Sequence, residues 1–362
     1  MNTQNGAPIA NVASIEDQIR TLWQEIGESN SSKTSVVTRV CTLTMIAYGA
    51  NAELARRVRT AVPAIFSDHP CRAILIEADG AADELSAWVT TVCQRAAEGA
   101  EQVCCEQITF TVGETMRRRL PGTVLPLVVS DLPVFVWWPG PFHAASNVRT
   151  QLFAHADRWL ADSRDFVAPL HDLSMLHAMI KSDPSTAVTD LEWARLTLWR
   201  SMLARVFDQP TMRPALDHIS TLTLRSKTVR SSALLCIGWL ASRLRWQVAS
   251  HITVGDATTY HFTAAHGEVQ VIVQADETTD DGLSSLVLGW ANQPDLTVTL
   301  ARSPNSQTLV STVQHGAETT THVGEMRDRD DGALLIEELN GYGRDRVYEA
   351  ALALVAKLVT VI

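Results

Sequence analysis

Carboxylates and guanidiniums crowd around one predicted strand. Asp157, Arg158 and Asp162 bracket the apolar run Trp159-Leu160-Ala161, with Arg164 and Asp165 just beyond. Carboxylates at strand ends can act as acid or base, so Asp157, Arg158 and Asp162 form a candidate ligand cluster. In α/β sheets such residues also cap helices or pair with arginine, and that alternative stays open. The standard catalytic motifs are missing: no Walker loop, no G-x-G-x-x-G after a strand, no G-x-S-x-G and no H-E-x-x-H. Gly341-Tyr342-Gly343 precedes the last predicted helix and either faces an anion at its N-terminus or forms a plain loop. His171 and His177 do not have ligand spacing on one helical face. No catalytic residue and no metal site is expected.

The six cysteines, Cys41, Cys71, Cys93, Cys104, Cys105 and Cys236, match no zinc spacing. Cys104 and Cys105 are neighbours in a strand-like stretch, where adjacent side chains leave opposite faces. All six are expected to be reduced and structural. No cofactor is implied.

Two tryptophan clusters stand out more than any catalytic pattern. The segment Thr189 to Arg200 reads as the start of a helix, with Thr189 and Glu192 at capping-box spacing and Val188 and Trp193 placed as a hydrophobic staple. Apolar residues from Leu191 to Phe207 spread over an arc of roughly 220°, against about 100° for a surface helix. Arg195 falls inside that arc, one turn before Trp199, where a cation–π contact fits. The second cluster is Trp137-Trp138, at the end of the predicted strand Pro133 to Trp138. Trp and Arg are enriched at binding hot spots, so Trp137, Trp138, Trp193, Arg195, Trp199 and Arg200 are candidate partner-binding residues. Burial in the core, or at a joint between domains, is the competing reading.

These clusters need elements to position them. A chain of 362 residues is long for one core, and two domains are the prior. In the first half, helices are predicted from Ser14, over 51–65, 82–98, 115–129 with breaks near Pro121 and Pro126, 145–155 and 170–180. Strands are predicted at 72–77, 103–112, 133–138 and 158–163. Alternation of this kind points to a mainly parallel sheet covered on both faces. In the second half a helix over 189–208 and a strand over 216–225 precede a helix over 230–246. Thr- and Val-rich alternating strands follow at 247–254, 258–264, 268–274, 296–301 and 308–313, then a helix over 344–358. The expected fold is an α/β N-terminal domain with a mainly parallel sheet, followed by an α+β C-terminal domain with an antiparallel sheet. Residues 1–10 read as disordered, 11–184 as the α/β domain and 185–362 as the α+β domain.

The apolar fraction of 46% and charged fraction of 19% fit a soluble protein. A net charge of −10 argues against nucleic acid and anionic membranes as partners, with Arg117-Arg118-Arg119 a local exception. Neither a secretory leader nor a membrane span is evident, so a cytoplasmic location is expected.

Taken together, Asp131–Gly140, Asp157–Ser163 and Asp190–Arg200 resemble the glucose-6-phosphate dehydrogenase assembly protein family, OpcA. Ser67–Ile74, Ala233–Leu244 and Arg344–Tyr348 match in the same order, so the resemblance runs from about residue 36 to the end. It implies a non-catalytic allosteric activator that binds glucose-6-phosphate dehydrogenase, promotes its assembly or active form, and supports the oxidative pentose phosphate pathway and NADPH supply. In cyanobacterial members a cysteine pair is thought to answer to thioredoxin. This chain has no cysteine after Cys236, so the resemblance does not carry that control over to its C-terminal third. The alternative is a sensor of sugar phosphates or nucleotides, or an enzyme, using the α/β domain.

Overall fold

The computed structural model describes residues 11–30, 37–80, 83, 85–95, 102–142, 146–226, 230–254, 257–276, 282–304, 307–327, 329–341 and 343–359. Residues 1–10, expected to be disordered, lie outside the described residues.

Helix α1 (Val12–Asn30) precedes strands β1 (Val37–Arg39) and β2 (Leu43–Gly49). Helix α2 (Ala52–Ala61) runs into a 3-10 segment (Val62–Ser67), followed by β3 (Cys71–Gly80), β4 (Leu85–Arg95) and β5 (Gln102–Gly113). A short helix α3 (Leu120–Val124) leads to β6 (Val134–Pro139), α4 (Ser146–Phe153), β7 (Arg158–Asp162), α5 (Pro169–Ser182) and β8 (Ala187–Asp190). Next come α6 (Leu191–Arg195), α7 (Thr197–Asp208), β9 (Thr221–Ser226) and α8 (Ser231–Arg243). Seven strands follow: β10 (Gln247–Val254), β11 (Ala257–Ala264), β12 (Gly267–Ala275), β13 (Leu283–Gly289), β14 (Leu296–Arg302), β15 (Thr308–His315) and β16 (Glu318–Glu325). Helices α9 (Asp331–Asn340) and α10 (Arg346–Val359) complete the described chain.

Two compact units form, each from three stretches. The first holds Met1–Asp165, Asp183–Leu191 and Arg329–Arg344; the second holds Phe166–Ser182, Glu192–Asp328 and Asp345–Ile362. The expected boundary near residue 184 falls at the start of the short stretch that returns to the first unit. Helix α5 packs on α8 and α10 in the second unit, and α9 packs back on α2 in the first. Sequence order does not reveal such exchanges.

The first unit is a mainly parallel sheet in the order β1-β5-β3-β2-β6-β7-β8, with β4 antiparallel against β5. Its central strand, β2, was not anticipated. All seven of its residues are buried, so it lacks the alternation that marks a half-exposed strand. Strand β4 replaces the helix expected over 82–98. Leu85, Ala87, Val89 and Thr91 are buried on one face at period two, and the helical spacing of Leu85, Trp88, Val89 and Val92 masked it. The helix expected over 115–129 with breaks near Pro121 and Pro126 is three short helical segments, Glu114–Arg119, Leu120–Val124 and Leu125–Leu127. Pro121 and Pro126 each restart a turn that they could not continue.

The second unit carries an eight-stranded sheet in the order β10-β11-β12-β9-β13-β14-β15-β16. Its strands pair antiparallel except β9 with β12. Strands β13 and β16 and helix α9 add to the expected elements. The predicted strand over 216–225 begins only at Thr221, after a 3-10 segment Arg213–His218. On the inner face Leu222, Leu224, Leu286, Leu288, Val298 and Leu300 are buried. Helices α7, α8 and α10 contact the sheet at β15, β9 and β10. The α/β and α+β character expected of the two halves is what the chain adopts.

The single helix expected over 189–208 is three elements: the end of β8, the short α6, and α7 after a break at Leu196. Thr189 is therefore a strand residue, and its hydroxyl donates to the Glu338 carboxylate instead of capping a helix. The wide apolar arc is covered within the chain: Leu191, Trp193, Ala194, Leu196, Trp199, Met202, Leu203, Val206 and Phe207 are all buried.

Candidate functional site

In open α/β sheets ligands bind beyond the carboxyl ends of the strands, where the strand order reverses. Here that point lies between β2 and β6, since β3 and β5 follow on one side of β2 and β6 to β8 on the other. The turn after β2 is Gly49-Ala50-Asn51, with one glycine where a dinucleotide turn has three. The Asn51 side chain accepts the Leu54 N–H at 2.9 Å, so the N-terminus of α2 is capped from within. A Cβ on Gly49 would stand 2.5 Å from the Ala55 backbone, so strand and helix touch there. At the end of β6, Gly140 has φ 98°, and a Cβ on it would stand 2.4 Å from Leu54 Cδ1. The first turn of α2 thus closes over the place where a phosphate would approach.

One turn along α2, Arg57 ties this helix to the end of β7 and to α9. Its guanidinium donates to Asp162 and Asp331, each at 2.8 Å, and to Asp165. Arg164 lies 3.4 Å from Asp331 and 3.6 Å from Asp162. Asp162 is fully buried at the end of β7. Burial by itself would lower the Arg57 pKa, but the hydrogen bond to Asp331 and the charges of Asp162 and Asp165 outweigh it, and the pKa is raised. Asp165 is raised by burial first and by Asp162 second, with Arg57 and Arg164 pulling the other way.

The candidate ligand cluster does not converge. Asp157 stands at the start of β7 and accepts the Val134 N–H at 2.7 Å. Arg158 donates to the carbonyls of Glu338 at 3.1 Å and Gly343 at 3.0 Å. Its pKa is lowered by burial, against the Glu338 charge. Asp162 lies about 16 Å from Asp157 along the extended strand. The three residues tie down a strand start, α9 with its following loop, and the Arg57 network respectively.

The candidate anchors are also placed inside. Trp137 and Trp138 are 0% and 1% exposed, and Trp193 and Trp199 are 3% and 2% exposed. Trp138 stacks on Tyr48 at 4.2 Å and on Trp159 at 5.5 Å between ring centroids. Trp193 donates its indole N–H to Asp345 at 2.8 Å and meets the Tyr348 ring at 5.6 Å. Arg200, not Arg195, makes the cation–π contact, lying 3.5 Å from the centre of the Trp193 ring. Arg200 also donates to the Trp193 carbonyl and the Thr197 hydroxyl. Arg195 pairs with Glu192 at 3.3 Å, its side chain 20% exposed. In this fold none of the four indoles offers its face to a partner.

Other chemistry is sparse. Cys93 and Cys104 form a disulfide across β4 and β5, which corrects the expectation that all six cysteines are reduced. Reading β4 as a helix hid the facing strands that bring these two together. Burial pushes the Cys105 thiol up to about 11 and the Cys236 thiol up to about 12, so neither is a thiolate at neutral pH. Among the described residues no cluster of His, Cys, Asp and Glu is arranged to hold a metal, and no helix is long and apolar enough to cross a membrane. One cleft of about 340 Å³ lies beside Glu16, Trp23 and Arg39, and one of about 240 Å³ beside His218, His266 and Glu268. Neither is lined by residues from the carboxyl ends of β2 and β6.

Two family models match the chain: the N-terminal domain of a glucose-6-phosphate dehydrogenase subunit over residues 62–178, and the C-terminal domain of the same subunit over residues 186–352. Among curated proteins, the chain is 29% identical over 308 residues to an OxPP cycle protein OpcA of Synechocystis sp., covering 80% of this chain and 64% of that one. An OxPP cycle protein OpcA of Nostoc punctiforme is 27% identical over 305 residues, covering 80% and 65%. The chain thus spans just under two thirds of the length of these relatives. Among solved structures, aldose-aldose oxidoreductase from Caulobacter crescentus superposes with a TM-score of 0.49 at 9% identity, over 88% of this chain and 97% of that one. A likeness that slight says nothing of chemistry. The two models together cover more than half of the residues, in the order in which the halves fold, and the chain belongs to the OpcA family.

Proposed function

We propose that this chain is a non-catalytic protein that binds glucose-6-phosphate dehydrogenase and favours its assembled, active form, so raising NADPH supply. The observation that carries this reading is the match of both halves to the two domains of a glucose-6-phosphate dehydrogenase subunit family. The closed crevice supports it: Asn51, Leu54 and Gly140 occupy the place where a doubly wound sheet would take its nucleotide. The buried Trp residues and the half-buried Arg195 and Arg200 then act as positioning groups that fix the surfaces a partner meets.

Such a protein must bind the active enzyme better than the inactive one, because equal binding shifts nothing. A tenfold gain in substrate affinity needs about 1.4 kcal/mol of coupling. The test is to mix the purified chain with glucose-6-phosphate dehydrogenase of the same organism and follow co-elution and NADPH formation. Co-elution with a lower KM or a higher kcat is expected. Absence of a complex together with unchanged kinetics would overturn the reading, and a complex with unchanged kinetics would reduce it to a scaffold.

A further inference from the structure

The outer face of the second unit's sheet is built differently from the rest of the surface. Register places its outward residues in straight rows across all eight strands. One row runs from Ile252 through Ile272, Thr223 and Val287 to Thr321. The next runs from Val254 through Arg225, Ser285 and Val310 to Val323. A third, from Ser250 to Thr319, flanks the first on its other side. No residue in these three rows is buried. Of the four large hydrophobic side chains most exposed among the described residues, Ile252, Val254 and Val323 sit here, and Val167 alone lies elsewhere.

Charge is nearly absent from the same rows. Among their residues Arg225 is the one Asp, Glu, Lys or Arg, and it lies against Gln274. Charged residues make up 19% of the chain, so a solvated face of this size should carry several. Antiparallel sheets that face water normally do so with polar and charged side chains. A broad, neutral face of Thr, Val and Ile is instead the composition of a surface that loses its water.

We propose that this face is a dimer interface, occupied by the same face of a second copy of the chain. Eight strands about 4.8 Å apart and three rows deep give roughly 700 Å² per side. A standard stable interface buries about 800 Å² per partner. Each chain carries a net charge of −10, and a face without acidic residues is where two such chains approach at least cost. The layout also suits a twofold axis. With eight strands, an axis parallel to β9 and β13 exchanges β10 with β16. Val254 then faces Val323 of the other copy and Arg225 faces Ser285, so apolar ends meet and like charges do not. This pairing goes beyond the dehydrogenase reading and stands without it.

Sedimentation of the full chain tests the proposal. The parent should run at twice 39.7 kDa at about 10 μM. Val323→Glu and Val287→Glu should each weaken the dimer at least tenfold with an unchanged circular dichroism spectrum. Val167→Glu, off the sheet, should leave it intact. Should Val287→Glu fail to fold, the exposed Val323 position decides. A parent that stays monomeric, or a dimer indifferent to both sheet variants, would overturn the proposal. So would a monomeric parent whose complex with the dehydrogenase is lost in Val323→Glu, since the enzyme would then be the occupant.

Discussion

The indole N–H of Trp193 donates to Asp345 across 152 residues of sequence, and the other carboxylate oxygen of Asp345 accepts the backbone N–H groups of Val347 and Tyr348. One aspartate therefore caps α10 and satisfies a tryptophan from α6. Removing it costs a cap, about 1 kcal/mol, and leaves a buried donor unpaired, about 1–3 kcal/mol. Asp345→Ala should lose roughly 2–4 kcal/mol in urea denaturation, while Asp345→Asn keeps an acceptor and should lose less than half of that. An Ala variant within about 0.5 kcal/mol of the parent would show that neither bond matters.

Arg57 makes a comparable joint in the first unit. It holds three carboxylates with its side chain 13% exposed, and Asp162 has no exposure at all. Deleting one side of a buried ion pair strands the other, at about 3–5 kcal/mol. Arg57→Ala should approach that loss, and Arg57→Lys should recover part of it with a poorer fork. NADP⁺ and sugar phosphates should leave the parent's melting temperature where it is. A clear upward shift with either would mean that the crevice opens, and would favour a sensor.

The pH dependence of that network has a definite sign. Asp165 is raised above its ordinary 3.8, chiefly by burial. A raised carboxyl contributes its full stability below 3.8 and loses it as pH rises through the folded-state pKa. Asparagine has no such loss. Asp165→Asn should therefore gain on the parent as pH rises from about 4 towards 7. Urea midpoints across that range would read the difference, and a gap that stays flat or narrows would contradict the assignment.

Much of this architecture follows from local pattern, and what does not has identifiable causes. The alternating strands β11, β12, β14 and β15 are plain because each sets one buried face against one wetter one, while β6 and β7 are plain as short apolar runs bounded by Pro133 and Pro139 and by Arg158 and Asp162. Strand β2 was invisible because burial on both faces erases alternation. The sequence leaves Trp193 open to the core or to a partner, and the contact that buries it in this fold is not local, because its acceptor Asp345 lies far along the chain. Arg57 went unremarked for the same reason, its partner Asp331 being 274 residues away. Tryptophan marks a place where much area is buried; whether the cover is the chain itself or a partner is decided by contacts that no local window contains.

The disulfide was lost to one misread element. Cys93 and Cys104 face each other in the register of β4 and β5, and their sequence separation is 11. Closing a loop of that size stabilises by about 2–3 kcal/mol. Cys104→Ser should lose that much or less, and the loss should be local. Amide exchange should quicken in β4, which lies off the main strand order and pairs with β5, and stay slow in β2 and β6. Uniform quickening would mean that the bridge supports the whole unit.

Tyr48 offers the sharpest test of the buried aromatic stack. It is fully buried at the end of β2, stacked on Trp138 with ring planes 4° apart, and its hydroxyl has no hydrogen-bond partner among the described residues. Burial also pushes its pKa up to about 12, so the hydroxyl is neutral at any physiological pH. A buried polar group without a partner costs about 1–3 kcal/mol, and deleting it spares part of that. Tyr48→Phe keeps the ring and the stack, so it should gain up to about 1 kcal/mol, roughly 2 °C in melting temperature. Tyr48→Ala removes the ring and should lose about 3–5 kcal/mol. If Tyr48→Phe instead loses a kilocalorie or more, the hydroxyl is bonded in solution, and the stack beneath the crevice is held by a polar contact as well as by packing.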